Sequence, residues 1–172
     1  MSRVRVLRPA ALDEALQARL ADVLIDCVEG GASVSFMSPL DHAQALAFWR
    51  DVAAGVARGE RSVAVAFDGD DVVGTAQVVL AQPPNQPHRA DVAKMLVTRR
   101  ARRGGVGAAL LASVVEAARA AGKTLLVLDT ASDDARRFYE RSGWQRVGDI
   151  PDYALLPHGG LCSTTYYFKR LG

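Results

Sequence analysis

The feature that most constrains this chain is a glycine-containing turn between an apolar run and a helix-like segment, Met95-Leu-Val-Thr-Arg-Arg-Ala-Arg-Arg-Gly-Gly-Val-Gly107. Small residues let a ligand approach the backbone closely, and the first amides of a helix have no intrahelical partner. Together they form an anion site. The arginines beside the glycines predict a ligand with several negative charges, such as a pyrophosphate; they are Arg99, Arg100, Arg102 and Arg103.

Hydrophobic spacing and turn residues predict the elements around this turn. The predicted helices are 12–29, 39–58 with Ser38 as N-cap, 105–121 and 132–143. The predicted strands are 3–8, 62–67, 72–80, 91–97, 124–129, 144–147 and 161–169, with loops at 82–88 and 148–160. Helix 105–121 is apolar nearly all round, which predicts burial. The continuous apolar run 124–129 predicts a central strand buried on both faces beside a parallel neighbour.

Length and charge restrict the class of protein. A chain of 172 residues fits one domain, 1–172. With 21 basic and 19 acidic residues the net charge is +2, which does not favour general nucleic-acid binding. Cys27 and Cys162 lack the spacing of a disulfide frame or zinc site, so a reduced, cytoplasmic compartment is expected. We expect no signal peptide and no membrane segment, because no apolar run is long enough.

Two other phosphate sites share parts of this pattern. A dinucleotide fold would place an acid about where Asp129 lies, but its turn is tighter and its third glycine is here Leu110. A P-loop needs a lysine and a hydroxyl residue directly after the glycines, and neither is present. Both interpretations are disfavoured.

Three motifs in order resemble the GCN5-related N-acetyltransferase (GNAT) superfamily. They are the strand end 95–99, the segment Arg102-x-x-Gly105-x-Gly107, and Ala135-Arg-Arg-Phe-Tyr-Glu-Arg-Ser-Gly-Trp144. The resemblance implies an α/β fold with a mixed, mostly antiparallel sheet of about seven strands and about four helices. It also implies acetyl-CoA as co-substrate and no metal. Arg99 departs from the family's usual proline, and Ser132 stands where many members have a cofactor-contacting asparagine.

The resemblance also assigns site residues. Backbone near the end of strand 91–97 would bind the acetyl and pantetheine groups, and the turn with its arginines would bind the pyrophosphate. The implied cofactor-binding residues are Met95, Leu96, Val97, Arg102, Arg103, Gly104, Gly105, Val106, Gly107, Ala108 and Ser132.

Tyr139 is the implied general acid, since its family counterpart points at the cofactor sulfur; the alternative is half-buried packing. Asp91 and Asp129, on neighbouring strands, are candidate bases that would share the task through a water or bind a cationic acceptor. The alternatives are a surface acid paired with Arg89 for Asp91, and a cap for the next turn for Asp129. Phe36, Met37, Asn85 and His88 are candidate acceptor-binding residues.

Further segments, 30–37, 85–97, 128–130 and 167–172, resemble the tabtoxin-resistance acetyltransferases, which act on an amino-acid-like β-lactam toxin. That likeness implies a small amine as acceptor and a resistance role. The alternatives are a protein lysine or N-terminal acetyltransferase, and a non-catalytic CoA-binding regulatory module. Because family members often dimerise, a homodimer is a further expectation.

Overall fold

The structure is a computed structural model that describes residues 4–172, so the predicted strand's Arg3 lies outside the described residues. The described chain contains seven strands and four helices, with a short 3-10 turn at Arg99–Ala101. The strands are β1 (Arg5–Leu7), β2 (Arg61–Asp68), β3 (Asp71–Val79), β4 (Arg89–Val97), β5 (Leu125–Thr130), β6 (Gln145–Leu155) and β7 (Leu161–Arg170). The helices are α1 (Glu14–Glu29), α2 (His42–Ala57), α3 (Val106–Ala120) and α4 (Asp133–Arg141).

All seven strands form one sheet in the order β1-β2-β3-β4-β5-β7-β6. Every neighbouring pair is antiparallel except β4 and β5, which run parallel and are connected through α3. The predicted mixed, mostly antiparallel seven-stranded sheet with four helices is confirmed.

The helices cover the two faces of the sheet. Because side chains alternate along a strand, Val63 and Val65 of β2 pack on α1 and α2, whereas Ala64 and Ala66 pack on the α3 side. The second side also holds Tyr139 of α4. No helix within residues 4–172 combines the length and apolarity needed to cross a membrane.

The first two helices begin at aspartates. Asp13 accepts a hydrogen bond from the Leu16 amide at 2.8 Å. Asp41 and Gln44 form a reciprocal capping box at the start of α2. The predicted Ser38 cap is therefore wrong: the Ser38 amide instead donates to the Pro157 carbonyl of the β6–β7 connection at 2.9 Å.

Three further expectations are corrected. Residues 148–155 continue β6 instead of forming a loop, because an edge strand accommodates Pro151 and two register irregularities. β5 buries Leu126 and Leu128 on the α3 side, but its other face is partly open since α1 and α2 do not reach it. α3 exposes a face whose apolar members are small alanines; they are Ala108, Ala109, Ala112 and Ala120.

Candidate active site

The two parallel strands separate near the middle of the sheet. β4 and β5 pair only from Arg89 with Leu125 to Asp91 with Val127. Beyond that point the end of β4 continues beside β3, and the end of β5 continues beside β7. The separation opens a gap in the sheet, between the turn that follows β4 and the residues that end β5.

The turn after β4 presents backbone amides into this gap. Gly105 has φ +80° and is the N-cap of α3, with no side-chain cap. The Ala109 amide donates to the Gly105 carbonyl at 3.1 Å and makes the first intrahelical bond. The amides of Val106, Gly107 and Ala108 therefore have no intrahelical partner. Arg103 also adopts a positive φ, +64°, which turns the loop toward the helix start.

The four arginines of the turn fall into two pairs. Arg99 binds the Asp26 carboxylate, with Nη2 at 2.9 Å, and Arg100 lies 3.2 Å from Asp71. Within residues 4–172, Arg102 and Arg103 have no carboxylate partner, and both are exposed. Two arginines of the turn, Arg99 and Arg100, thus bind neighbouring acids, and the other two, Arg102 and Arg103, are available to an anion.

The end of β4 is tied to the turn through one carbonyl. Val97 accepts hydrogen bonds from Arg102 Nε at 3.2 Å and from the Cys27 thiol at 3.4 Å. Burial raises the pKa of the Cys27 thiol to about 11, so this group remains a neutral donor. The Leu96 side chain is buried against the α1–α2 layer, and the Met95 side chain packs on the opposite face of the sheet, toward α3. Their backbone therefore lines the gap while their side chains anchor the strand.

Tyr139 lies in an aromatic cluster below the gap. Its ring packs against Phe138, Trp144 and Tyr167, with centroids 5.1 to 6.1 Å away, and the residue is 5% exposed. Burial raises the pKa of Tyr139 far above its ordinary value, and the Asp129 carboxylate adds to the shift. The phenol therefore keeps its proton throughout the neutral range.

Asp129 lines a small cavity. Its carboxylate accepts a hydrogen bond from Thr164 at 2.7 Å, and the residue is otherwise exposed. The cavity measures about 120 Å³ and lies between the α1–α2 loop, the end of β5 and the β6–β7 hairpin. Tyr153 and Tyr166 share a hydrogen bond of 3.1 Å beside it. That bond, burial and the Asp129 charge raise the pKa of Tyr166 to about 12.

Asp91 is on the same face as Asp129, but neighbouring residues bind it. Arg89 pairs with one carboxylate oxygen, and Gln82 donates to the other at 3.1 Å. In the structure Asp91 thus corresponds to the alternative interpretation, an acid paired with Arg89.

The four candidate acceptor residues are separated. Phe36 stacks edge-on against Phe48 of α2 at 5.4 Å, and Met37 is exposed beside it. Asn85 and His88 are exposed at the opposite end of the strands, where the His88 carbonyl accepts from the Thr124 amide at 2.8 Å. His88 also accepts from the Leu125 amide, and at about 3.3 Å per residue the five steps of β5 from Leu125 to Thr130 place His88 roughly 17 Å from Thr130. None of the four candidate acceptor residues lines the cavity. Ser132 caps α4 by accepting from the Ala135 amide at 3.1 Å.

Lys94 and the hydroxyl groups around the cavity were not predicted from the sequence. Lys94 Nζ donates to Ser35 Oγ at 3.2 Å. One signal was available: in a regular strand Lys94 would point the same way as Ala90 and Val92, into the core. A lysine on that side indicates an irregular strand. The hydroxyl groups carry no comparable signal, since Ser33, Ser35 and Thr164 are common surface residues.

In a second, larger groove the charged side chains already have partners. It measures about 410 Å³ and lies between α4 and β6. Its side chains already pair with one another, Arg136 with Asp133 and Arg146 with Asp149. Within residues 4–172 no group of three or more potential metal ligands is assembled.

Comparison with known proteins supports a shared fold. The sequence model of the acetyltransferase (GNAT) family matches residues 31–144. Ribosomal-protein-alanine N-acetyltransferase from Brucella melitensis is 22% identical, with a TM-score of 0.81 over 97% of this chain and 99% of that chain. The yncA protein from Salmonella typhimurium, solved with its cofactor acetyl-CoA, is 20% identical, with a TM-score of 0.80 over 99% and 95%.

A third solved structure has the same architecture. It is a GNAT superfamily phosphinothricin acetyltransferase from Sinorhizobium meliloti in complex with acetyl-CoA. It is 17% identical, with a TM-score of 0.81 over all of this chain and 90% of that chain.

Proposed function

This chain belongs to the acetyltransferase (GNAT) family, and from that premise we propose that it transfers an acetyl group from acetyl-CoA to the amine of a small, amino-acid-like molecule. The observation that carries the proposal is the separation of β4 and β5 after Asp91 and Val127. It leaves one gap with the glycine and arginine turn at one end and, at the other, a cavity that the Asp129 carboxylate lines. Residues 1–172 form one catalytic domain in this proposal.

The turn fits the diphosphate of acetyl-CoA. Three free amides at the start of α3 and two arginines without an acidic partner among the described residues are donors with no internal acceptor. Arg102, Arg103 and the amides from Gly104 to Ala108 would hold the phosphates. The backbone of Met95 to Val97 would hold the acyl end, and Ser132 would contribute only with the hydroxyl proton that its capping role leaves free.

When bound, acetyl-CoA supplies a thioester carbonyl that an amine can attack. The new C–N bond forms as the C–S bond breaks, in a single complex of both substrates. Asp129 takes the proton that the amine loses, directly or through a water, and the Tyr139 hydroxyl gives a proton to the departing thiolate. The raised pKa of Tyr139 keeps that proton in place, but it also makes the phenol a weak acid, so transfer depends on close positioning.

The size of the cavity favours a small acceptor over a protein segment. About 120 Å³ suits a few non-hydrogen atoms, and the hairpin and the α1–α2 loop enclose it on two sides. The segments that resemble the tabtoxin-resistance acetyltransferases point to the same acceptor class and to a resistance role.

The test is thiol release from acetyl-CoA against amino acids, β-lactam amino acids, polyamines, aminoglycosides and lysine peptides. Tyr139→Phe should lower kcat about 10²-fold or more with one small amine, because general acid catalysis is lost. Tyr167→Phe is the matched control: it removes a hydroxyl from the same aromatic cluster, where Tyr167 donates to Glu140 at 2.9 Å, and should leave kcat unchanged.

The other outcomes identify the alternatives. Thiol release only with lysine peptides would establish a protein acetyltransferase. Tight binding of acetyl-CoA without release by any amine would establish a regulatory module. Equal kcat values for the two tyrosine variants would contradict the acid role of Tyr139.

A further inference from the structure

One strand of the site carries an inserted residue. Thr75 of β3 pairs with Leu96 and Gln77 pairs with Ala93, so Ala76 alone faces both Lys94 and Met95. This is a β-bulge, and Lys94 within it has φ +51°, a conformation that side-chain-bearing residues rarely adopt.

The bulge reverses the side-chain alternation of β4. Before it, Ala90 and Val92 point toward α3. After it, Met95 packs on that side while Leu96 packs on the α1–α2 side. Lys94 therefore points toward the α1–α2 side instead of into the core, and its Nζ reaches Ser35 of the cavity wall. Its position follows from the backbone of β4, not from the flexibility of the lysine chain.

The Lys94 ammonium has few partners for its three donors. Nζ donates to Ser35 Oγ at 3.2 Å and lies 5.8 Å from the centre of the Phe48 ring. No carboxylate of residues 4–172 lies within 4.0 Å of it. Burial lowers the pKa of Lys94; the charge of Arg61 lowers it further, and the Asp129 carboxylate raises it. An acid at the far side of the cavity thus acts on Lys94 without pairing with it.

The surroundings of Lys94 have more donors than acceptors. Arg61 donates to Gln77 at 3.0 Å, and no acid of the described chain lies within 4.0 Å of Arg61. Arg61 Nε and Gln77 Nε2 are both buried without an acceptor among the described residues. Both donor atoms are enclosed by protein, with Arg61 packed against Gly55 of α2, so they do not reach a ligand. The Arg61 charge adds to that of Lys94 on this face of the sheet, and two neighbouring cations favour a negative group there.

We propose that Lys94 Nζ and Ser35 Oγ bind a carboxylate of the acceptor, while Asp129 binds its amine. The acceptor is then a zwitterion, either an amino acid or an analogue with a free carboxylate. A simple amine would contact Asp129 but not Lys94 and Ser35. Ser35 lines the cavity that Asp129 lines from the other side, so one small molecule can reach both groups. This inference rests on the proposed function.

The experiment compares amino acids with their decarboxylated amines: L-alanine with ethylamine, L-valine with isobutylamine, and L-lysine with cadaverine. Each pair is assayed for thiol release and titrated calorimetrically into the CoA complex of Tyr139→Phe, which reports binding without turnover. The amino acid of at least one pair should bind 10- to 100-fold more tightly, the range of a charge-assisted hydrogen bond.

Lys94→Met should weaken binding of the amino acid by about the same 10- to 100-fold and leave its amine unchanged, and Lys94→Arg should restore part of the preference. Ser35→Ala provides a second, milder variant if Lys94→Met does not fold. Arg50→Gln, which removes a charge from an exposed position of α2, is the control for general electrostatics.

Equal affinity for both members of every pair, no binding of any of them, or equal losses for both members in Lys94→Met would overturn the carboxylate site. A calorimetric preference without thiol release would support the site and contradict the transfer reaction. Thiol release with amines and amino acids alike would support the reaction and reject the site.

Discussion

Two aspartates on one face of the sheet differ in how their oxygens are used. Both oxygens of Asp91 are engaged, by Arg89 and Gln82. Asp129 accepts from Thr164 through one oxygen, and no hydrogen bond to its other oxygen occurs within residues 4–172. A base needs an oxygen that can reach the acceptor, so the proposed proton transfer belongs to Asp129, with Asp91 stabilising the start of β4.

We predict that Asp129→Asn lowers kcat about 10²-fold or more, the usual size of general base catalysis, whereas Asp91→Asn changes kcat less than about 10-fold. Steady-state assays measure both. Asp129→Asn should also lower the pKa of Tyr166, because it removes a negative charge that disfavours tyrosinate. Spectrophotometric titration of tyrosinate checks that shift. A larger loss in Asp91→Asn would reverse the assignment.

At the scale of residues, the sequence predicted the local geometry of the glycine and arginine turn, but not the contacts around the cavity. Gly105, Arg102 and Arg103 sit in one continuous segment, where local spacing determines geometry. Lys94 contacts Ser35, which lies 59 positions away, through a bulge that no short pattern encodes. Long-range contacts of this kind depend on the register of several strands, which spacing alone does not provide.

At the scale of elements, Gly74 lets β3, β4 and α3 meet closely. A Cβ atom at Gly74 would lie 2.9 Å from the Leu96 carbonyl oxygen, 3.0 Å from Leu110 Cδ1 and 3.2 Å from Val106 Cγ1. Gly74 also pairs with Val97, the last residue of β4. The end of β4 and the first turn of α3, which flank the glycine and arginine turn, are thus positioned against one glycine.

Gly74→Ala should therefore reduce the free energy of unfolding by about 1 to 3 kcal/mol through overpacking. It should also weaken acetyl-CoA binding, since one side of the turn must move. Urea denaturation and calorimetric titration measure the two effects. Gly148→Ala is the control, because a Cβ at Gly148 would meet nothing within 4 Å. Loss of stability with unchanged acetyl-CoA affinity would mean that α3 yields without disturbing the turn.

Element order and most element bounds followed from the sequence, and the exceptions have physical causes. Gln145–Leu155 is one long strand although Pro151 interrupts its apolar pattern, because an edge strand needs hydrogen bonds on one side only. The N-cap of α2 is Asp41 and not Ser38, because Gln44 completes a capping box with the aspartate. In both cases a neighbouring residue or strand determined the outcome.

At the scale of the whole molecule, the sheet separates two apolar clusters. Trp49 is buried in the cluster under α1 and α2, and Trp144 is buried in the cluster under α3 and α4. β2 contributes alternate residues to both, so the loss of either cluster exposes the same strand. This arrangement supports the proposal that residues 1–172 form one domain.

Unfolding should therefore be a single cooperative transition. We predict that Trp49→Phe and Trp144→Phe, each with one remaining tryptophan, give fluorescence midpoints in urea that coincide with the far-ultraviolet circular dichroism midpoint of the same variant. Both midpoints are measured on the same variant, so any loss of stability caused by the substitution affects the two equally. A fluorescence midpoint clearly below the dichroism midpoint in one variant would show that its side of the sheet unfolds separately.

Two walls of the cavity, the α1–α2 loop and the β6–β7 hairpin, are joined by hydrogen bonds. The Ser38 amide bonds to the Pro157 carbonyl, and His158 bonds to the Glu29 carbonyl at 2.9 Å. Neither contact involves the arginine and glycine turn. The α1–α2 loop also meets that turn, because Arg99 Nη2 lies 3.7 Å from the Glu29 carboxylate, so under the proposed function the two walls of the cavity change as a pair with Glu29 retained. An engineer who transplants acceptor specificity between relatives would need to exchange segments 30–41 and 151–161 together, since a new loop on an old hairpin would lose its attachments.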